Sequence, residues 1–524
     1  MRIATAAQMA AIDRDTIAGG IPGLELMERA GREMLHALME ALPGFDPPMS
    51  IALCCGRGNN GGDGLVLARL LDQLGFETTV MLQAPADELS PDSAVNLARL
   101  PSGVDVVVPA AGDRVAIWTR LQAESDVVVD AIFGTGVRLP ISGEDAELLA
   151  AFDRRLATVI SLDVPSGVCG DNGAVDPVAV RADHTLTVGL PKLGLFVPPG
   201  RDHAGTVAVV DIGFPDEICD RHTDEHHVLW PADVAELLPH RRGDTHKYRA
   251  GTCLVLGGSQ RLGGAALLAS LGALRSGVGL LSVGLPSCHA AAALGFVPEA
   301  LITSLDIGDS GCLLPLDPVA LDDLLARQNA WAVGPGLGAD PDTDVFVVEA
   351  LGRIDLPVVV DADALGAFTR TDRVPHFASS EVVLTPHAGE LARLAQVEPN
   401  VLAERRLELV PELAQRWGVT LVAKGAPTIV ADSLGTVFVN ATGHDALAHG
   451  GTGDVLTGLI VGLLGQGLAG LDAAVLGCWL HGRAGELVAE MSGTRRGVLA
   501  REVAEQLPSA LAELEWFLDG GDTA

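Results

Sequence analysis

The stretch "ALCCGRGNNGGDGLVLARLL", residues 52–71, decides how the first half of the chain is read. Gly56, Gly58 and Gly61 fit the dinucleotide fingerprint G-x-G-x-x-G, with an apolar run before them and an amphipathic pattern after. A glycine turn between strand and helix lets backbone N–H groups close on a phosphate. A dinucleotide cofactor site also wants an acid at the end of the next strand, to hold the ribose. Here that strand, Thr78–Leu82, runs into Gln83 and Ala84, while Asp87 comes late and Glu77 lies at the wrong end. The cofactor reading thus lacks its second requirement. Asn59, Asn60 and Asp63 instead crowd the turn with polar groups that a phosphate cradle does not need.

Working outward, the first half alternates strand-like and helical patterns. Strands are expected at Ile51–Cys55, Val127–Asp130 and Thr158–Asp163, with helices at Ala6–Ala18, Leu24–Ala41 and Gly64–Leu74. Such alternation predicts a mostly parallel sheet covered on both faces. In "VVVDAIFGTGVRLPISG" and "ISLDVPSGV" a strand ends in an aspartate, Asp130 and then Asp163. Open α/β sheets place their sites at the carboxyl ends of strands. One such aspartate is ordinarily a turn former or cap; two, beside the asparagine turn, predict a shared site.

The chain has 524 residues, more than one ordinary core, and 48% apolar composition. Its net charge of −33, without a basic stripe, and its 4% aromatic content argue against nucleic-acid and anionic-membrane partners. Eight scattered cysteines without a C-x-x-C pair, and no apolar signal core at the start, fit a reducing cytoplasm. The apolar run 458–482 is broken by Gln466, Asp472 and glycines, and predicts two buried helices, not a membrane span. Residues 215–234 are polar and His-rich and read as a linker. Its His222, His226 and His227 beside acids make a conceivable metal site, outweighed by a solvated linker.

With "LMERAG" and "LPKLGLFVPPGRDHAGTVAVVDIGFP", the first-half motifs resemble the NAD(P)H-hydrate epimerase family over residues 1–220. The resemblance implies a Rossmann-like three-layer domain acting on NADH or NADPH hydrated at C6 of the nicotinamide ring. It implies a potassium ion held by Asn60, Asp130 and Ser166, all oxygen donors as a hard cation requires. Substrate contacts are implied for Asn59, Asn60, Gly61, Gly62 and Asp63, for Gly134, Thr135, Gly136, Val137, Arg138, Leu139 and Pro140, and for Asp163. Loss of hydroxide from C6 gives an iminium, to which water returns on either face. Asp163 and Lys192 are the candidates to shuttle those protons.

In the second half, "VTLVAKGAPTIV" is a strand ending in Lys424, followed by a turn and another strand. A hairpin is expected from Thr428–Asp432 and Thr436–Asn440, and helices at Gly453–Gly465, Leu471–Glu490 and Ala500–Leu518. "HGGTGDVLTGLIVGLL" is a glycine turn opening a helix, with Asp454 in its first turn, suited to a phosphate in transfer and a base beside it. No P-loop is present. With "AVGPGLG", "VVDADAL" and "LTPHAGELARL", the half resembles the ribokinase-like superfamily and, within it, ADP-dependent NAD(P)H-hydrate dehydratases, over a domain placed at 228–524. The resemblance implies Ala265, Gly336, His387 and Asp454 on the hydrated dinucleotide, and Lys424, Gly425, Ala426, Pro427, Thr428 and Gly453 on the adenine nucleotide. ADP as donor and a magnesium ion are implied in the same way. His444 and Asp445, where the family shows Asn-Pro, and His449, where it shows a small or hydroxyl residue, depart from the pattern close to the nucleotide turn.

The expected whole is an α/β chain of two domains carrying two activities, small-molecule substrates (hydrated NADH and NADPH, ADP) and self-association. The alternatives are a ribokinase-like small-molecule kinase with an attached nucleotide-binding domain, and a first half that only senses nucleotides.

Overall fold

Ser50–Cys55 (β1) is buried on both faces, and this sets the layering of the first half: Ile51, Leu53 and Cys55 face one apolar cluster, Ala52 and Cys54 another. After the helix Ala6–Ala18 (α1), the first cluster is completed by Met34 and Leu38 of Gly23–Ala41 (α2) and Leu65 and Leu71 of Asn59–Leu74 (α3); the second by Trp118, Leu121 and Leu148. This is a three-layer arrangement of helices about one sheet. The computed structural model describes residues 1–524 apart from 111, 224, 225, 242, 374, 375 and 519–524. It divides into two compact units, Met1–Val228 and Leu229 onward.

The first sheet also contains Glu77–Leu82 (β2), Asp105–Val107 (β3), Val127–Ala131 (β4), Thr158–Leu162 (β5), His184–Val188 (β6) and Thr206–Val210 (β7). Its order is β3-β2-β1-β4-β5-β6-β7 and every pairing is parallel. That is the doubly wound order, and the chain reverses its winding between β1 and β4, where a crevice opens at the strand ends.

The second unit repeats the principle with longer helices. Its strands run in space as Leu301–Leu305, Leu280–Pro286, Thr252–Leu256, Ala330–Val333, Val358–Val360, Val382–Leu384 and Thr420–Ala423, all parallel. The antiparallel pair Thr428–Ala431 and Val437–Asn440 follows. The helix Thr452–Gly465 is buried nearly all round, as its uniformly apolar sequence requires. Among the described residues no helix is long and apolar enough to cross a membrane.

Three expectations need correction. α3 begins at Asn59, not Gly64, so the asparagines and glycines form its first turn. The supposed linker is structured where described: Asp216–His222 is a helix that packs Cys219 against Ala4, Met9 and Ile12, and His226–Val228 is a strand. His222 pairs with Asp15 at 2.8 Å, and no group of three metal-ligating side chains occurs among the described residues; the acids at 224 and 225 lie outside them. The strand Leu301–Leu305 was not anticipated, because Leu301, Ile302 and Leu305 do not alternate with its polar residues.

Candidate active sites

In the first unit the close approach belongs to the protein's own backbone. A Cβ on Gly61 would fall 1.9 Å from the Gly56 carbonyl oxygen, and one on Gly56 would fall 2.0 Å from that of Ile132. The glycines therefore seat the start of α3 tightly against the ends of β1 and β4, and this brings Asn60 into the crevice. Its Nδ2 donates to the Phe133 carbonyl at 3.1 Å and the Leu162 carbonyl at 3.2 Å, tying together the loops after β4 and β5. Its Oδ1 is buried with no partner.

Asp130 is fully buried beneath this point. Ser166 donates to it through Oγ at 2.6 Å and through its backbone N–H at 2.8 Å, and Ser161 Oγ donates at 2.9 Å. Burial raises its pKa against the lowering effect of those bonds. Asn60, Asp130 and Ser166 are thus linked around Phe133, whose N–H donates to Ser166 Oγ at 2.9 Å. One orphaned amide oxygen, one carboxylate and one hydroxyl are a donor set that fits a hard monovalent cation.

Asp163 stands one residue past β5 at φ 64, in the left-handed region that aspartate tolerates better than most residues. The turn carries its carboxylate off the strand end. Oδ2 accepts the Thr135 N–H at 3.0 Å, and Oδ1 lies 2.7 Å from Lys192 Nζ. Lys192 is 1% exposed and also donates to the Val188 carbonyl at 2.5 Å. Gly134 adjoins the pair, since a Cβ there would lie 2.7 Å from Asp163 Oδ2. Gly136 and Arg138, farther along the same turn, are exposed.

Two further carboxyls share this field. Burial, with Asp163 and Asp13 adding and Lys192 opposing, pushes Asp63 well above the usual carboxylate range. The carboxyl of Asp13, on Ala6–Ala18, is also raised, first by partial burial and further by Asp163, with Lys192 opposing. The sequence reading placed Asp63 only as a contact and did not find Asp13, an acid on the open face of an amphipathic helix.

In the second unit Lys424 is the hub. Its Nζ lies 2.8 Å from Oδ1 of the buried Asp361, whose Oδ2 accepts the Thr457 hydroxyl at 2.7 Å. Its N–H donates to the Pro386 carbonyl at 2.9 Å, which sets His387 alongside. A Cβ on Gly453 would lie 3.3 Å from Lys424 Nζ. Asp454, the next residue, has its pKa pushed up to about 7, chiefly by burial and then by Asp361, against the opposing pull of Lys424. Between Asp361 and Asp363 stands Ala362 at φ 49, ψ −119, a strained backbone for a residue with a Cβ. It splays the two carboxylates apart: Asp363 Oδ2 accepts the Gly338 N–H at 2.8 Å.

Ala265 and Gly336 are brought together, since a Cβ on Gly336 would lie 3.1 Å from that of Ala265. His387 caps the helix Ala388–Ala395, its Nδ1 accepting the N–H groups of Gly389 at 3.0 Å and Glu390 at 3.2 Å. That bond requires an unprotonated Nδ1 and leaves the proton of the neutral ring on Nε2. His444 caps a short turn at Ala446, and the exposed His449 bonds the adjacent Gly450 carbonyl. Asp361, Asp363 and Glu390 were inside motifs that the sequence reading quoted, but were not singled out.

These features belong to an α/β enzyme with a candidate site at the strand ends of each of two mostly parallel sheets, one around the linked Asn60, Asp130 and Ser166 and the other around a lysine among acids. Residues 23–194 match the model described as YjeF-related protein N-terminus, and residues 253–509 match that of NAD(P)H-hydrate dehydratase. The bifunctional NAD(P)H-hydrate repair enzyme of Moorella thermoacetica is 37% identical over 98% of this chain and 97% of its own. Those of Salinibacter ruber and Thermofilum pendens are 37% and 35% identical, again over 98% of this chain, and over 96% and 97% of theirs. The chain belongs to the family of bifunctional NAD(P)H-hydrate repair enzymes.

Proposed function

We propose that the first unit interconverts the R and S forms of hydrated NADH and NADPH, and that the second dehydrates the S form with ADP as phosphoryl donor. The observation that carries this reading is the second-unit cluster, where Asp454 stands with a pKa of about 7 beside Lys424 and Gly453. A carboxyl so poised serves as a base near neutral pH.

In the first unit the C6 hydroxyl must leave and water must return. Asp63, its carboxyl pushed up by burial and by Asp163, gives the proton that lets hydroxide depart. Asp163, paired with Lys192, stabilises the iminium and takes the proton from the returning water, and that proton returns to Asp63 to complete the cycle. Asn60, Asp130 and Ser166 would hold a potassium ion, which would supply a fixed positive charge beside the crevice.

In the second unit Asp454 removes the proton of the C6 hydroxyl as it attacks the terminal phosphorus of ADP, and AMP departs. Phosphate is a better leaving group than hydroxide, so the ring nitrogen expels it, and loss of a C5 proton restores the dihydronicotinamide. Lys424–Thr428 and the N–H groups opening Thr452–Gly465 hold the nucleotide. Magnesium would enter on the phosphates, since it keeps most of its waters and needs only one or two carboxylates.

The test is to incubate the protein with mixed hydrates and ADP and follow the absorbance of restored NADH. Complete recovery supports both sites. Arrest at the S fraction removes the first assignment, and no recovery removes the second.

A further inference from the structure

Arg406 opens the helix Arg406–Trp417 and reaches back to the turn between Thr420–Ala423 and Thr428–Ala431. Its Nη1 donates to the Pro427 carbonyl at 3.1 Å; its Nη2 donates to the Ala423 carbonyl at 2.8 Å and the Lys424 carbonyl at 3.4 Å. One planar fork thus gathers both legs of the turn. Gly425 passes so close that a Cβ on it would fall 2.8 Å from Nη1.

Among the described residues this guanidinium has only neutral acceptors. Its Nε is buried without a partner, and burial lowers its pKa with no acid acting in the other direction. Guanidinium stays charged even so, and is more weakly hydrated than ammonium. Lys424, in contrast, is already neutralised by Asp361. The neighbourhood is acidic besides, because Asp361, Glu390 and Asp454 all act on Lys424. A polyanionic donor entering here meets one cation that has no counter-charge.

We propose that Arg406 is a positioning residue for the phosphoryl donor, fixing the turn Lys424–Thr428 and supplying the unpaired positive charge that draws an anionic nucleotide to it. The proposal rests on the reading of that turn as the nucleotide site.

The test compares the full chain with Arg406→Met and Arg406→Lys. It measures kcat and KM for ADP at saturating hydrate, and the rise in melting temperature that ADP gives to each protein. Arg406→Met should raise KM for ADP about 10–100-fold, the worth of charge-assisted hydrogen bonds, with kcat within about threefold. ADP should no longer stabilise it. Arg406→Lys keeps the charge but not the fork, and should fall between the two; it also decides the matter if Arg406→Met does not fold. Variants in which ADP retains its KM and its stabilising effect overturn the proposal alone. A parallel loss of kcat and of ADP-free melting temperature, with KM for ADP unchanged, reduces Arg406 to a structural tie and overturns it too. A wild-type chain that ADP neither saturates nor stabilises overturns the proposal together with the nucleotide reading.

Discussion

Lys424 and Asp361 meet at 2.8 Å, at the ends of two strands that are not neighbours, and the contact spans the strand between them. The Asp361 side chain is 2% exposed, so Lys424 and Thr457 stand in for water around it. Removing one member of a buried pair leaves the other uncompensated, at a cost of about 3–5 kcal/mol. Asp361→Asn should destabilise the second unit by that order in urea unfolding and lower dehydration by at least about 100-fold. A variant with unchanged unfolding midpoint and rate would sink this account of the hub.

The pH profile follows from Asp454. Its pKa of about 7 means that the carboxyl is still largely protonated at pH 6 and ionised at pH 8. As a base it must be ionised, so the dehydration rate should fall tenfold per pH unit below about 7 and level off above it. The same shift acts on stability with the opposite sign. The folded pKa lies above the ordinary aspartate value of 3.8, so this group favours folding fully below 3.8, and that contribution is lost as pH rises through about 7. Asp454→Asn should abolish dehydration, spare epimerisation and remove that part of the pH dependence of melting. Persistent dehydration would show that another group is the base.

Asp63 separates the acid from the ion pair in the first unit. Asp63→Asn keeps the shape of the side chain but has no acidic proton to give. It should slow R-to-S exchange about 10²–10⁴-fold, the usual worth of a general acid, without loss of fold. Exchange at the wild-type rate would return the acid role to Asp163 and Lys192.

Asn60 offers a test of the cation that does not depend on turnover. Potassium added to a choline-buffered protein should raise the melting temperature of the wild type, because a ligand that binds only the folded state stabilises it. Asn60→Ala, which removes the orphaned oxygen, should lose that response. An equal potassium response in both proteins would remove Asn60 from the cation site.

Much of the site was legible in the chain, for physical reasons. Asp130 and Asp163 follow apolar runs of strand length, so their place at neighbouring strand ends could be read directly. Asn60 could be singled out because its polarity has no use in a phosphate turn. The start of α3 was misread because glycine is a poor helix former, yet tertiary contact with Gly56 and Ile132 outweighs that propensity. Asp13 and Arg406 carry no local mark. Each is an exposed-looking charge on a helix, and only folding brings it to residues from other elements. The strained Ala362 is equally silent, since nothing in an alanine announces a positive φ.

The anchoring of Asn60 also bears on how the protein ages. Asn60 is followed by Gly61, the dipeptide in which the next backbone nitrogen most readily attacks the side-chain carbonyl, converting asparagine to aspartate through a cyclic imide. Here the amide is pinned to the Phe133 and Leu162 carbonyls, and the backbone is wound into the first turn of α3. The nitrogen and the carbonyl carbon are thereby denied the approach that ring closure needs. The folded chain shields this perishable amide, unlike Asn172 before Gly173 in an exposed turn, and spontaneous deamidation at Asn60 becomes a marker of molecules that have already opened.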